Sequence, residues 1–275
     1  MNYVIENNLD LNSFTPSVRR KSFDLIEKAV SNIQSKGHKV IFLGISGGPA
    51  CGISTVSQYF HGRILKSEII KELSFFKVNS LDNISNNLGK ENEYLIKDYD
   101  KYNKKRRLYL IDICSPNSFD YDKFFETLQA LREGKKIKIP FFDEEKCEYV
   151  SEKDKEIDPN KTPIIIVEGY YIFKDQRLKE MLNLKIYKEV EDDVRLTRLI
   201  EREEKYLNND KEAFKLFFDI YEKFFKISYK ENINPYKSLA NILLPDNKIF
   251  NENNEIEEDE TLEFLIRNLT YFSKS

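Results

Sequence analysis

The chain has 275 residues, of which 40% are hydrophobic and 33% charged, a composition that excludes both a disordered polymer and a membrane-spanning bundle. That length supports one large domain or two small ones. With 44 basic and 47 acidic side chains the formal charge is −3, so no global positive field recruits nucleic acid or an anionic membrane, and any phosphate ligand must be held locally.

In chain order, Thr15 and Pro16 open an amphipathic helix whose apolar residues Phe23, Ile26, Val30 and Ile33 recur at helical spacing up to Gly37. This places an N-terminal helical extension over residues 1–38, before a main domain over 39–275. Residues 39–46 (KVIFLGIS) form a short apolar run ending in glycines, the pattern of a buried parallel strand. A second such run, 163–167, leads into Glu168 and Gly169. Two buried strands separated by helical stretches predict an α/β fold, a parallel sheet with helices on both faces. Between them, 83–107 is rich in Asn and Lys and reads as a surface insertion without assigned structure. Asn117 is the expected cap of a helix carrying Phe124, Phe125, Leu128 and Leu131, ended by Gly134. Alternation over 136–142 and 146–150 predicts a β-hairpin arm turning at 143–145. Helical spacing returns over 194–207 and 213–229, followed by a short strand at 239–244 and a helix from about Asp259.

Cys51, Cys114 and Cys147 lie too far apart for a disulfide framework or a zinc site, and two histidines, His38 and His61, leave little for a histidine metal site or a Ser-His-acid triad. The N-terminus shows no basic region followed by an apolar stretch, so a cytoplasmic location is expected.

The most informative segment is Gly47-Gly48-Pro49-Ala50-Cys51-Gly52-Ile53-Ser54, followed by Thr55. It fits the phosphate-loop pattern G-x-x-x-x-G-K-[ST] at every position except the lysine. In that pattern glycines let backbone N–H groups wrap the phosphates, the following helix adds positive potential, and the hydroxyl binds Mg²⁺. Ile53 stands where an ammonium would reach the β- and γ-phosphates. By itself the segment also suits a glycine-rich strand-to-helix turn that binds nothing.

Residues 46–56, SGGPACGISTV, resemble the phosphate loop of the uridine-cytidine kinases, SGGTASGKSTV. Further blocks follow in the same order. Residues 116–122 resemble PDAFDxD, 131–143 the LxxGKxVxxPxYD arm, 164–169 the VIIxEGI strand, 193–196 the start of the DxRLxRR lid, and 234–245 LPTKKYADVIIP.

The resemblance implies a P-loop nucleoside-kinase core with a hairpin arm and a helical lid. It implies that ATP or another nucleoside triphosphate, with Mg²⁺, phosphorylates the 5′-hydroxyl of a pyrimidine ribonucleoside. By position, residues 47–55 would hold phosphates, Ser54 and Glu168 Mg²⁺, Arg198 and Arg202 lid charge, and Phe142 and Asp143 the base. Read from its own context, Glu168 is also compatible with a solvent-facing carboxylate before a turn.

Several departures bear on catalysis. The family's QDSFY, which follows its second strand, is aligned with residues 78–82, putting Asn79 at the acceptor carboxylate, a position it cannot serve as a base, with Asp82 as a weak substitute. Cys114 stands at the ribose-binding aspartate, with Asp112 nearby. The base-reading histidine and arginine become Cys147 and Tyr149, and Leu199, Leu207 and Asn209 replace lid arginines. The alternative to a weakened kinase is therefore a degenerate nucleotide-binding or scaffold pseudokinase, self-associating or pairing with an active relative.

Overall fold

The computed structural model of the chain describes residues 39–77, 90–95, 103–246, 265–267 and 269. The expected N-terminal helix, Asn79 and Asp82 lie outside the described residues, as does the start of the expected C-terminal helix.

Strand β1 (Ile41–Gly47) leads through the glycine loop into α1 (Ile53–Arg63) and β2 (Ser67–Lys71). Helices α2 (Lys104–Asp112) and α3 (Tyr121–Arg132) follow. Four short strands, β3 (Ile137–Ile139), β4 (Phe142–Asp143), β5 (Glu148–Tyr149) and β6 (Lys155–Ile157), build the arm. Then come β7 (Ile164–Glu168), α4 (Gln176–Met181), β8 (Leu184–Glu189), α5 (Asp192–Leu207) and α6 (Lys211–Ile220). The chain continues from α6 through π-type turns at Tyr221–Phe225 and Tyr229–Ile233, and β9 (Ile242–Pro245) closes the sheet.

The central sheet has five parallel strands in the order β2-β7-β1-β8-β9. Successive side chains of a strand point to opposite faces, and each face carries its own core. Ile41, Leu43, Ile45, Ile164 and Ile166 pack against α1 through Val56 and Phe60. Phe42, Ile165 and Val167 face the other way, toward Phe124 and Leu128 of α3. The strands alternate with helices on both faces, an α/β architecture in which sites form beyond the carboxyl ends of the strands.

Three local outcomes differ from the sequence expectations. Helix α2 begins inside the segment expected to be an unstructured insertion, because Asn103 caps it by accepting from Arg106 N at 3.1 Å and because Arg106 and Arg107 are buried. Arg106 donates to both carboxylate oxygens of Glu203 on α5, at 3.0 and 2.5 Å, and to Glu144 O at 2.6 Å, so one side chain ties helix, lid and arm together. Helix α3 is capped by Asp120, which accepts from Lys123 N at 3.0 Å, while Asn117 belongs to the short 3₁₀ turn Pro116–Ser118. The arm is two antiparallel ladders, β3 with β6 and β4 with β5, where one hairpin was expected.

Among the described residues no helix is long and apolar enough to cross a membrane.

Candidate functional site

The glycine loop leaves the carboxyl end of β1 at the centre of the sheet. A Cβ on Gly47 would meet Lys188 O at 2.6 Å and Cys51 Sγ at 2.5 Å, so only glycine fits that approach. Gly52 precedes α1 with φ +87°, a conformation that favours glycine, and offers no side-chain cap. The N–H groups of the first turn have no intrahelical acceptor, so the loop and the α1 terminus together retain the elements of an anion cradle. Gly48 is closed off on the lid side. Arg195 stacks over the Tyr229 ring at 3.8 Å, and both side chains lie where a Cβ on Gly48 would project. Burial pushes the Cys51 thiol up to about 11, which makes it a packing residue rather than a nucleophile.

Ile53 and Ser54 part ways at the first helical turn. Ile53 is 8% exposed and packs into the core beneath α1, whereas Ser54 is exposed toward the strand ends. Ser54 Oγ donates to Glu168 Oε1 at 2.9 Å. Glu168, the last residue of β7, is 4% exposed, and its Oε2 is a buried atom with no hydrogen-bond partner. A hydroxyl and a buried carboxylate with an unmet oxygen beside a phosphate cradle suit Mg²⁺, which is held by one or two protein oxygens plus phosphates and water. Among the described residues no cluster of three or more His, Cys, Asp or Glu could hold a metal alone.

Lys71, Glu72 and Leu73 enter the same cleft from the end of β2, Glu144 from the arm and Arg202 from the lid. None of these except Arg202 was singled out from the sequence. Lys71 is the register partner of Glu168 across the parallel pair of β2 and β7, and its Nζ lies 3.4 Å from Glu168 Oε1. Glu72 is buried and accepts from Tyr170 N at 2.7 Å, Tyr171 N at 3.3 Å and Tyr121 Oη at 3.0 Å. Burial pushes its carboxyl up to about 7, although these donors act the other way. Glu144 accepts from Tyr109 Oη at 3.2 Å.

The end of β2 offers a second candidate for the acceptor segment. The strand stops at Lys71, so the residues that directly follow the second strand are Glu72-Leu73-Ser74-Phe75-Phe76, with leucine second where QDSFY has aspartate, while Asn79 lies outside the described residues. Ser74-Phe75-Phe76 keep the hydroxyl and two aromatic rings of that pattern.

The other expected site residues lie elsewhere. Arg198 is held by Asp246, Nη2 to Oδ2 at 2.8 Å, beside the buried Lys188, whose Nζ sits 2.9 Å from Asp246 Oδ1. Phe142 is 6% exposed, its ring packed against Phe76, Tyr149 and Tyr109 at 5.1, 5.3 and 5.9 Å between centroids; in this geometry it fastens the arm to the body instead of offering a face to a base. Asp143 accepts from Glu145 N and Lys146 N and shapes the arm turn. Asp112 is buried and accepts from Ser118 Oγ.

Residues 42–249 match the model of the phosphoribulokinase / uridine kinase family. The chain belongs to this family. Among phosphoribulokinase/uridine kinase relatives, a uridine kinase of Borrelia duttonii (strain Ly) is 29% identical over 210 residues, 75% of this chain and 87% of that protein. The uridine-cytidine kinase A of Dictyostelium discoideum is 29% identical over 215 residues, 77% of this chain and 37% of that longer protein. A solved structure assigned as a fructose transport system kinase, from Silicibacter sp. TM1040, superposes with a TM-score of 0.53 at 18% identity, covering 79% of this chain and 98% of that one, a likeness of fold alone.

Proposed function

We propose that the chain binds a nucleoside triphosphate with Mg²⁺ and transfers its γ-phosphoryl group, slowly for this family, to the 5′-hydroxyl of a pyrimidine ribonucleoside. The observation that carries this reading is the hydrogen bond between Ser54 and Glu168 at the mouth of the glycine loop. In the reaction the 5′-oxygen bonds to the γ-phosphorus and gives up its hydroxyl proton to solvent as the bond to the β-bridging oxygen breaks, giving a nucleoside monophosphate and a nucleoside diphosphate. Backbone N–H groups of residues 47–55 hold the phosphates, except at Pro49, which has none, and Cys51, whose N–H is donated to Gly48 O. Ser54 and Glu168 would hold Mg²⁺, which would supply charge neutralisation to the phosphates. Arg202 faces the same cleft and adds positive charge from the lid. With leucine at 73, Glu144 is the arm carboxylate positioned to orient the acceptor hydroxyl.

Slow transfer follows from two replacements. Isoleucine at 53 removes the lysine of the loop, and leucine at 73 removes the acceptor carboxylate; losing one electrostatic group of this kind costs about 10²–10³ in rate. Those replacements also favour the second reading, a nucleotide-binding pseudokinase that acts as a scaffold. A uridine and cytidine phosphorylation assay with Mg·ATP separates the two: slow, protein-dependent formation of the monophosphate supports transfer, and nucleotide binding without product supports the scaffold.

A further inference from the structure

The loop lacks its lysine, yet a lysine ammonium stands at the same cleft on another element. Lys71 ends β2, in register with Glu168 across the parallel pair, and Nζ lies 3.4 Å from Glu168 Oε1, the oxygen that accepts from Ser54. Its side chain is 38% exposed, so the ammonium is available to a ligand while the strand fixes its stem. β2 lies on the far side of β7 from β1, so this cation reaches the cleft from the side opposite the loop. A lysine is a compact charge on a flexible four-carbon stem and can shift from a carboxylate to a neighbouring phosphate with little backbone change. The loop position that would ordinarily carry this charge holds Ile53, whose side chain borders the same cleft and brings no ammonium to it.

We propose that Lys71 supplies the ammonium contact to the terminal phosphate oxygens of the bound nucleotide in place of the residue at position 53. The inference rests on the nucleotide-binding reading above and adds to it a residue on a different strand. Lys71 makes its contact when a triphosphate enters, exchanging the Glu168 carboxylate for phosphate oxygens and leaving that carboxylate, with Ser54, as the residues that would hold Mg²⁺. The competing role is a plain counter-ion to Glu168, and the two roles predict opposite effects of removing the charge.

Titration of the full chain with ATP, ADP and AMP, with and without Mg²⁺, tests this in the unaltered protein and in Lys71→Gln, Lys71→Arg and the double variant Lys71→Gln with Ile53→Lys. Loss of one charge-assisted phosphate contact should weaken ATP binding by about tenfold to a hundredfold in Lys71→Gln. AMP binding should change little, and the preference for ATP over AMP should shrink. Lys71→Arg should keep most of the affinity, and the added lysine at 53 should restore it. Lys71→Gln binding ATP as well as the unaltered protein, or binding Mg²⁺ more tightly with ATP affinity unchanged, overturns the proposal and leaves the nucleotide-binding reading standing. Absence of ATP binding by the unaltered protein overturns both.

Discussion

Ser54 Oγ donates to Glu168 Oε1 across 2.9 Å, joining the first turn of α1 to the last residue of β7. The bond spans the two central strands and exists only because the glycine loop delivers α1 with its N-terminus over the end of the sheet. Replacing Glu168 with Gln should leave the fold intact and weaken the Mg²⁺-dependent part of ATP binding by about 10–100-fold, as for residues that orient a metal's ligands. ATP titration at graded Mg²⁺ concentrations checks this, and Mg²⁺ should no longer tighten binding in the variant.

Glu144→Gln should separate binding from chemistry. The carboxylate reaches the cleft from the arm, steadied by Tyr109 Oη. If it orients the acceptor hydroxyl, its loss should lower kcat by about 10²-fold or more with ATP affinity unchanged. Steady-state kinetics alongside ATP titration reads both quantities.

The buried pair of Arg106 and Glu203 should matter for stability. Arg106 donates two hydrogen bonds to Glu203, which is fully buried on α5. Removing one partner strands the other charge, so Glu203→Ala should destabilise by about 3–5 kcal/mol. Denaturant unfolding measures it, and a simultaneous Arg106→Leu should recover part of the loss.

Glu72 predicts a pH dependence with a definite sign. Burial raises its folded-state value from the ordinary 4.5 to about 7. Between those values the folded chain binds more protons than the unfolded chain, so the contribution of this group to stability is lost as pH rises from about 4.5 toward 7 and is regained on acidification. Glu72→Gln should flatten that part of the profile. Melting temperatures of both proteins across the window give the difference directly.

Restoring the two missing groups tests how much of the site is still arranged for transfer. Ile53→Lys and Leu73→Asp should each raise turnover modestly, because each restores only one of the two groups that transfer needs. Together they should exceed the product of the single effects, since γ-phosphate and acceptor must be activated in the same step. Initial rates of the four combinations are the measurement.

The parts of the architecture legible in the sequence are those whose signal is local. β1 and β7 are continuous apolar runs, as central strands buried on both faces must be, and the glycine pattern between β1 and α1 announces its own backbone geometry. β2 (SEIIK) and β8 (LKIYKE) were missed because polar residues interrupt them: β2 is an edge strand, and β8 contains Lys188, whose charge is answered by Asp246 far along the chain. Missing β2 hid Lys71, whose meaning depends on its register opposite Glu168. The basic start of α2 looked like a solvated run because its partner, Glu203, lies nearly a hundred residues away. Phe142 was placed by pattern alone, and only the surrounding rings reveal that its faces are already covered.

Calorimetric titration of the chain with ATP, in the presence and absence of Mg²⁺ and beside Ser54→Ala, tests most directly whether the glycine loop and the pairing of Ser54 with Glu168 form a working nucleotide site. The account predicts saturable binding in the micromolar to millimolar range, tightened by Mg²⁺ in the unaltered protein and no longer tightened in the variant. No saturable heat at millimolar ATP, or binding that ignores both Mg²⁺ and Ser54, would contradict it.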